Sequence, residues 1–75
     1  LEMRLRTLFH RAFELGASAV LLAHNHPSGD PAPSEADIAA TRELVGIAGA
    51  LALPVIDHFV VAGATVTSMR DRGLL

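Results

Sequence analysis

The stretch AHNHPSGDPAPSEAD, residues 23–37, decides how this chain is read. Pro27, Gly29, Pro31 and Pro33 forbid regular structure through its middle, because proline fixes φ and removes a backbone donor. His24 and His26 stand just before that loop, at the end of an apolar run. Side chains at i and i+2 of an extended chain project from one face, so the two imidazoles can converge on one point. Ser34 fits a helix N-cap, with Glu35 and Asp37 in the first turn behind it. A strand therefore ends at the histidines and a helix begins at the serine. Strand end and helix start are neighbours in such a unit, which brings Asp37 toward both rings.

The flanks extend this frame. Upstream, SAVLLAH is too apolar to alternate and too short for a helix, so it reads as a buried strand. Before it, residues 3–15 place Leu5, Leu8, Phe9, Ala12 and Phe13 on one stripe of an amphipathic helix, with Gly16 as its stop. Downstream, the helix from Ser34 runs to about Ala50. It carries Ile38, Thr41, Val45 and Ala48 on one face, which Leu44, Ile47 and Leu51 widen. PVIDHFVVA and TVTSM form two further strands, joined by Gly63-Ala64 as a two-residue hairpin of the Gly-X kind. The order helix-strand-helix-strand-strand implies a parallel, right-handed βαβ unit with an antiparallel edge. The fold class is α/β or α+β.

Composition bounds the rest. Seventy-five residues make one domain with a small core, aliphatic and alanine-filled, since the three aromatic residues are all Phe. The net charge of −2, the absence of lysine and the scattered arginines argue against strong direct nucleic-acid binding. Cysteine is absent, which excludes disulfides and thiolate metal sites and is compatible with a reducing cytoplasm. No apolar run approaches the roughly 18–20 residues that span a membrane. The chain begins with Leu1, which suggests the tail of something longer.

Two neutral imidazoles and a carboxylate make a good zinc set, leaving a fourth tetrahedral position for water. Plainer readings stand beside it. Ser34-x-x-Asp37 is also a capping-box-like pattern with a short acid, and capping and ligation are compatible because a metal needs only one carboxylate oxygen. A lone loop histidine is an ordinary surface residue. The letters HNH do not make a nuclease, whose residues are spread across a larger motif.

The whole string His24-x-His26-Pro27, Ser34 and Asp37 resembles the core signature of the JAMM (MPN-plus) metalloprotease superfamily. The longer run AHNHPSGDPAPSEADIAATREL, with LPVIDHFVVAG and the ending VTSMRDRGLL, is similar to the bacterial RadC branch over nearly the entire chain. The resemblance implies a partial JAB/MPN (cytidine-deaminase-like) three-layer domain, with residues 1–75 its C-terminal portion. It implies that His24, His26 and Asp37 bind zinc and that the Ser34 hydroxyl supports an oxyanion. The family's general base is a glutamate on a strand well upstream of the histidines. Here 23 residues precede His24, and the acids among them are Glu2, at a chain end, and Glu14, late in the first helix. The N-terminal strands, and the base with them, are expected to lie outside this chain.

Asp57 and His58 interrupt an apolar strand. Neighbouring strand residues face opposite sides, so at most one of them addresses the site. That one would orient a ligand; the alternative is a polar residue satisfied at a sheet edge. Asp30 reads first as turn chemistry, and His10 as a surface residue of its helix. The leading expectation is a zinc-dependent metallopeptidase of the RadC type, in a family tied by name to DNA repair, acting on a peptide or isopeptide bond. The rivals are a non-catalytic accessory module in DNA metabolism and a truncated remnant. Substrate and oligomeric state are not legible.

Overall fold

A computed structural model describes residues 4–75. In chain order it contains α1 (Leu5–Glu14), β1 (Val20–Asn25), α2 (Glu35–Ala50), β2 (Val55–Ala62) and β3 (Thr65–Ser68). The strands form one sheet in the order β1-β2-β3. β1 and β2 are parallel, and α2 is the connection between them; β2 and β3 are antiparallel. This is the α+β arrangement expected, and every expected element is present with its described ends moved by no more than two residues; Met3, in the expected first helix, lies outside the described residues.

Both helices are stopped by backbone chemistry. At the end of α1, Ala17 N–H bonds the Ala12 carbonyl at 2.9 Å and Gly16 N–H bonds Phe13 at 3.0 Å, with Gly16 at φ 65°. This paired closure needs a left-handed residue, and glycine adopts it without steric cost. The same closure ends α2, from Leu53 to Ala48 and from Ala52 to Gly49, but there Ala52 takes the left-handed conformation at φ 54°. In the β2–β3 hairpin Gly63 has φ 59° and Ala64 has no positive φ, as a turn led by glycine requires.

The core lies where the helices meet one face of the sheet. Phe9 and Ala12 of α1 join Leu44 and Ala48 of α2, Leu53, and Val55 of β2, with Leu8, Val20 and Leu22 packed around them. The apolar stripes are narrower than the sequence pattern implies. Phe13, Ile47 and Leu51 are exposed, and Thr41, Leu44 and Ala48 form the fully buried line of α2. Leu21, Ile56 and Val66, one from each strand, are also exposed. The C-terminal turn is fastened to β2 by Arg70, whose guanidinium donates to the carbonyls of Val55 (2.8 Å) and Ile56.

Candidate metal centre

The parallel ladder delivers the histidines. His24 lies beside Val60 in the β1–β2 register, and His26 N–H continues the ladder to the Val61 carbonyl at 2.8 Å. The backbone is extended through Asn25, so the two rings project from one face, their centroids 4.8 Å apart. The loop then turns on its own side chains. Ala32 N–H donates to the Asp30 carboxylate at 3.0 Å, which commits that acid to the turn.

Asp37 arrives by way of a complete capping box. Its N–H donates to Ser34 Oγ at 3.0 Å, and Ser34 N–H donates to Asp37 Oδ2 at 3.0 Å. The box fixes the rotamer of Asp37, which is buried, and turns the same Oδ2 toward the two rings. That oxygen lies 2.9 Å from His26 Nε2 and 3.3 Å from His24 Nε2, and the two Nε2 atoms are 3.0 Å apart. Among the described residues, these three form the one cluster that could hold a metal ion.

The donor set fits a small divalent cation. Tetrahedral ligands at about 2.0–2.1 Å from zinc lie roughly 3.3 Å from one another, and the triangle found here is within a few tenths of an ångström of that. With both rings neutral, protons do not satisfy it. His26 Nδ1 is 2.9 Å from the Asp30 carbonyl, which only accepts, so Nδ1 carries the ring proton and neutral His26 turns a bare Nε2 to the cluster. At most one proton, on His24 Nε2, then remains for three contacts between electron-rich atoms. A cation at the centre satisfies all three.

The electrostatics favour the charged carboxylate and, at His26, a proton that a metal would displace. Burial alone would push the Asp37 carboxyl up, but Ser34, through backbone and hydroxyl, and His26 hold it down to about 2, so it is ionised at neutral pH. The Asp30 carbonyl, then Asp37, raise the pKa of His26. Burial, then the neighbouring His24, lower that of His58, which favours its neutral form.

Strand alternation separates the other pair. His58 faces the cluster from behind, with Nε2 at 2.7 Å from His24 Nδ1 and Nδ1 at 2.7 Å from Thr41 Oγ1. Asp57 turns to the opposite side, which corrects its candidacy as a ligand-orienting group. Its carboxylate accepts from Ser68 Oγ, from Arg70 N–H at 3.1 Å and from its neighbour's N–H, and so holds the C-terminal turn. Thr41 is the residue that sequence reading missed. The sequence places it only on a face of its helix, and a polar side chain on such a face, four residues after Asp37, is the available signal. Glu14 is exposed and paired with Arg11 one turn earlier. Glu2 lies outside the described residues.

Fold and cluster together define an α+β domain with a His-His-Asp centre at the junction of a parallel strand and its crossover helix. The chain belongs to the RadC-like JAB domain family, whose profile matches residues 1–74. It is 50% identical over 70 residues to a UPF0758 protein of Symbiobacterium thermophilum, and 51% identical over 70 residues to one of Rhodobacter capsulatus. A UPF0758 protein of Moorella thermoacetica is 44% identical over 70 residues. Each alignment covers 93% of this chain and 30–33% of the relative, so the chain spans about a third of the length of these proteins. Among the described residues, no helix is long and apolar enough to cross a membrane.

Proposed function

We propose that this chain is the metal-bearing part of a zinc-dependent hydrolase of the JAMM type that cleaves an amide or isopeptide bond. The observation that carries the reading is the donor triangle, to which neutral His26, donating from Nδ1 to Asp30, turns its Nε2 lone pair. His24, His26 and Asp37 would hold the ion. What zinc supplies when bound is Lewis acidity toward a carbonyl oxygen and a lowered pKa of water.

The remaining roles belong to the chain. Asp37, ionised and fixed by the box, contributes charge without rearranging. Ser34 Oγ accepts from Asp37 N–H, which leaves its hydroxyl hydrogen to donate. Capping uses the oxygen and oxyanion stabilisation uses the proton, so one hydroxyl serves both. Glu14 lies exposed beside Arg11, and this reading assigns the general base to a carboxylate outside the described residues, as the greater length of the relatives allows. Any part in DNA repair would run through other segments or partner proteins, because a net charge of −2 provides no phosphate-binding field.

The test is elemental analysis of the purified chain beside His26→Ala and Asp37→Ala. About one zinc per chain, lost in both variants, supports the reading; a well-folded wild type with little zinc overturns it. The rival reading is a metal-stabilised accessory module, in which the same three donors serve structure. Stoichiometric zinc with no turnover of isopeptide-linked peptides by a full-length relative would select that reading.

A further inference from the structure

A line of hydrogen bonds runs behind the metal-facing atoms, and its direction can be worked out from one end. Thr41 Oγ1 lies 2.7 Å from the Asp37 carbonyl oxygen, which can only accept, so the hydroxyl hydrogen is spent there. The same Oγ1 is 2.7 Å from His58 Nδ1. With its hydrogen used, the hydroxyl must accept, and His58 carries its proton on Nδ1. A neutral imidazole has one N–H, which leaves His58 Nε2 as an acceptor. That atom is 2.7 Å from His24 Nδ1, which must then donate. His24 Nε2 is left with its lone pair directed at His26 and Asp37.

We propose that His58 and Thr41 are positioning residues for the metal centre, holding His24 in the tautomer whose Nε2 can ligate. The inference rests on the metal reading above and adds residues to it. Neither residue is open to water, with Thr41 at 0% and His58 at 2% exposure, so solvent cannot replace a lost partner. The line also joins three elements: His24 on β1, His58 on β2, and Thr41 and the Asp37 carbonyl on α2. One buried ring thereby ties a strand-borne ligand to the turn of helix that carries the carboxylate. Groups that orient a ligating histidine in this way typically change metal affinity by about 10–100-fold.

The experiment pairs tautomer spectroscopy with zinc affinity. Long-range proton–nitrogen correlation on the metal-free, histidine-labelled wild type should find His24 and His58 both protonated on Nδ1. Competition with a chelator should then show Thr41→Val, of nearly unchanged shape, binding zinc about 10–100-fold more weakly per folded molecule. Thr41→Ser, which keeps the hydroxyl, should restore wild-type affinity and tautomers. His24 protonated on Nε2 overturns the inference, as does Thr41→Val with wild-type affinity. If Thr41→Val does not fold, the wild-type tautomers and Thr41→Ser still decide. A wild type that binds no zinc defeats the metal reading itself, whereas zinc bound equally by wild type and Thr41→Val defeats the inference alone.

Discussion

Zinc should raise the melting temperature of this chain by a calculable amount. The three donor atoms already lie 2.9–3.3 Å apart, so little of the binding energy goes into rearrangement. A ligand that binds only the folded state, at 100 times its dissociation constant, stabilises by about 2.7 kcal/mol. Seventy-five residues carry an unfolding entropy of about 0.16 kcal/mol per kelvin. The expected rise is therefore about 17 °C, read by circular dichroism with and without zinc and reversed by a chelator. In His26→Ala one donor is gone. If affinity falls 100-fold, the same zinc concentration sits near the new dissociation constant and contributes about 0.4 kcal/mol, a rise of about 3 °C. A wild-type rise no larger than that of His26→Ala would refute the argument, because zinc would then be binding elsewhere or to no defined site.

Ser34→Ala removes the acceptor for Asp37 N–H and should cost about 1 kcal/mol in urea titration, while zinc content stays near the wild-type value. In a full-length relative that turns over an isopeptide, the equivalent change should lower kcat by about 10²–10³-fold. Asp57 is buried, which pushes its carboxyl up, but Ser68 and the backbone N–H groups of Arg70 and His58 outweigh that and hold it below its ordinary 3.8. A lowered folded pKa gives stability that is complete above pH 3.8 and is lost as pH falls through the folded value. Asp57→Asn should accordingly flatten the acid limb of an unfolding-versus-pH curve, and an unchanged limb would place that acid sensitivity elsewhere. Ala52→Gly relieves a left-handed alanine at φ 54° but loosens the unfolded chain, so a net gain of up to about 1 kcal/mol is expected from thermal melts.

What the sequence disclosed was local. Prolines bounded the loop, glycines marked the ends of α1 and the hairpin, and Ser34 announced the start of α2, since each acts through its own backbone. Spacing likewise put His24 and His26 on one face. Which apolar residues are covered was not legible in the same way. Phe13 continues the stripe of α1, and Ile47 and Leu51 that of α2, yet all three are exposed, because how far a neighbour reaches over a helix is a property of tertiary packing. The role of His58 depends on register. Alternation set it on the face opposite Asp57, but only the pairing of Leu22 with His58 and of His24 with Val60 brings its ring behind His24. Thr41 stayed hidden because its significance needs His58 already in place.

The capping box has a consequence for which acids position 37 tolerates. By helix chemistry alone glutamate is the usual partner at the third position of such a box, and Asp37→Glu would be an unremarkable local exchange. Here the same oxygen that takes the Ser34 N–H also closes the donor triangle. One more methylene would carry it about 1.3–1.5 Å along, enough to break a geometry held to a few tenths of an ångström. The shorter acid departs from the usual helix choice at the position where the site sets the reach, and such a departure marks where function overrides local preference.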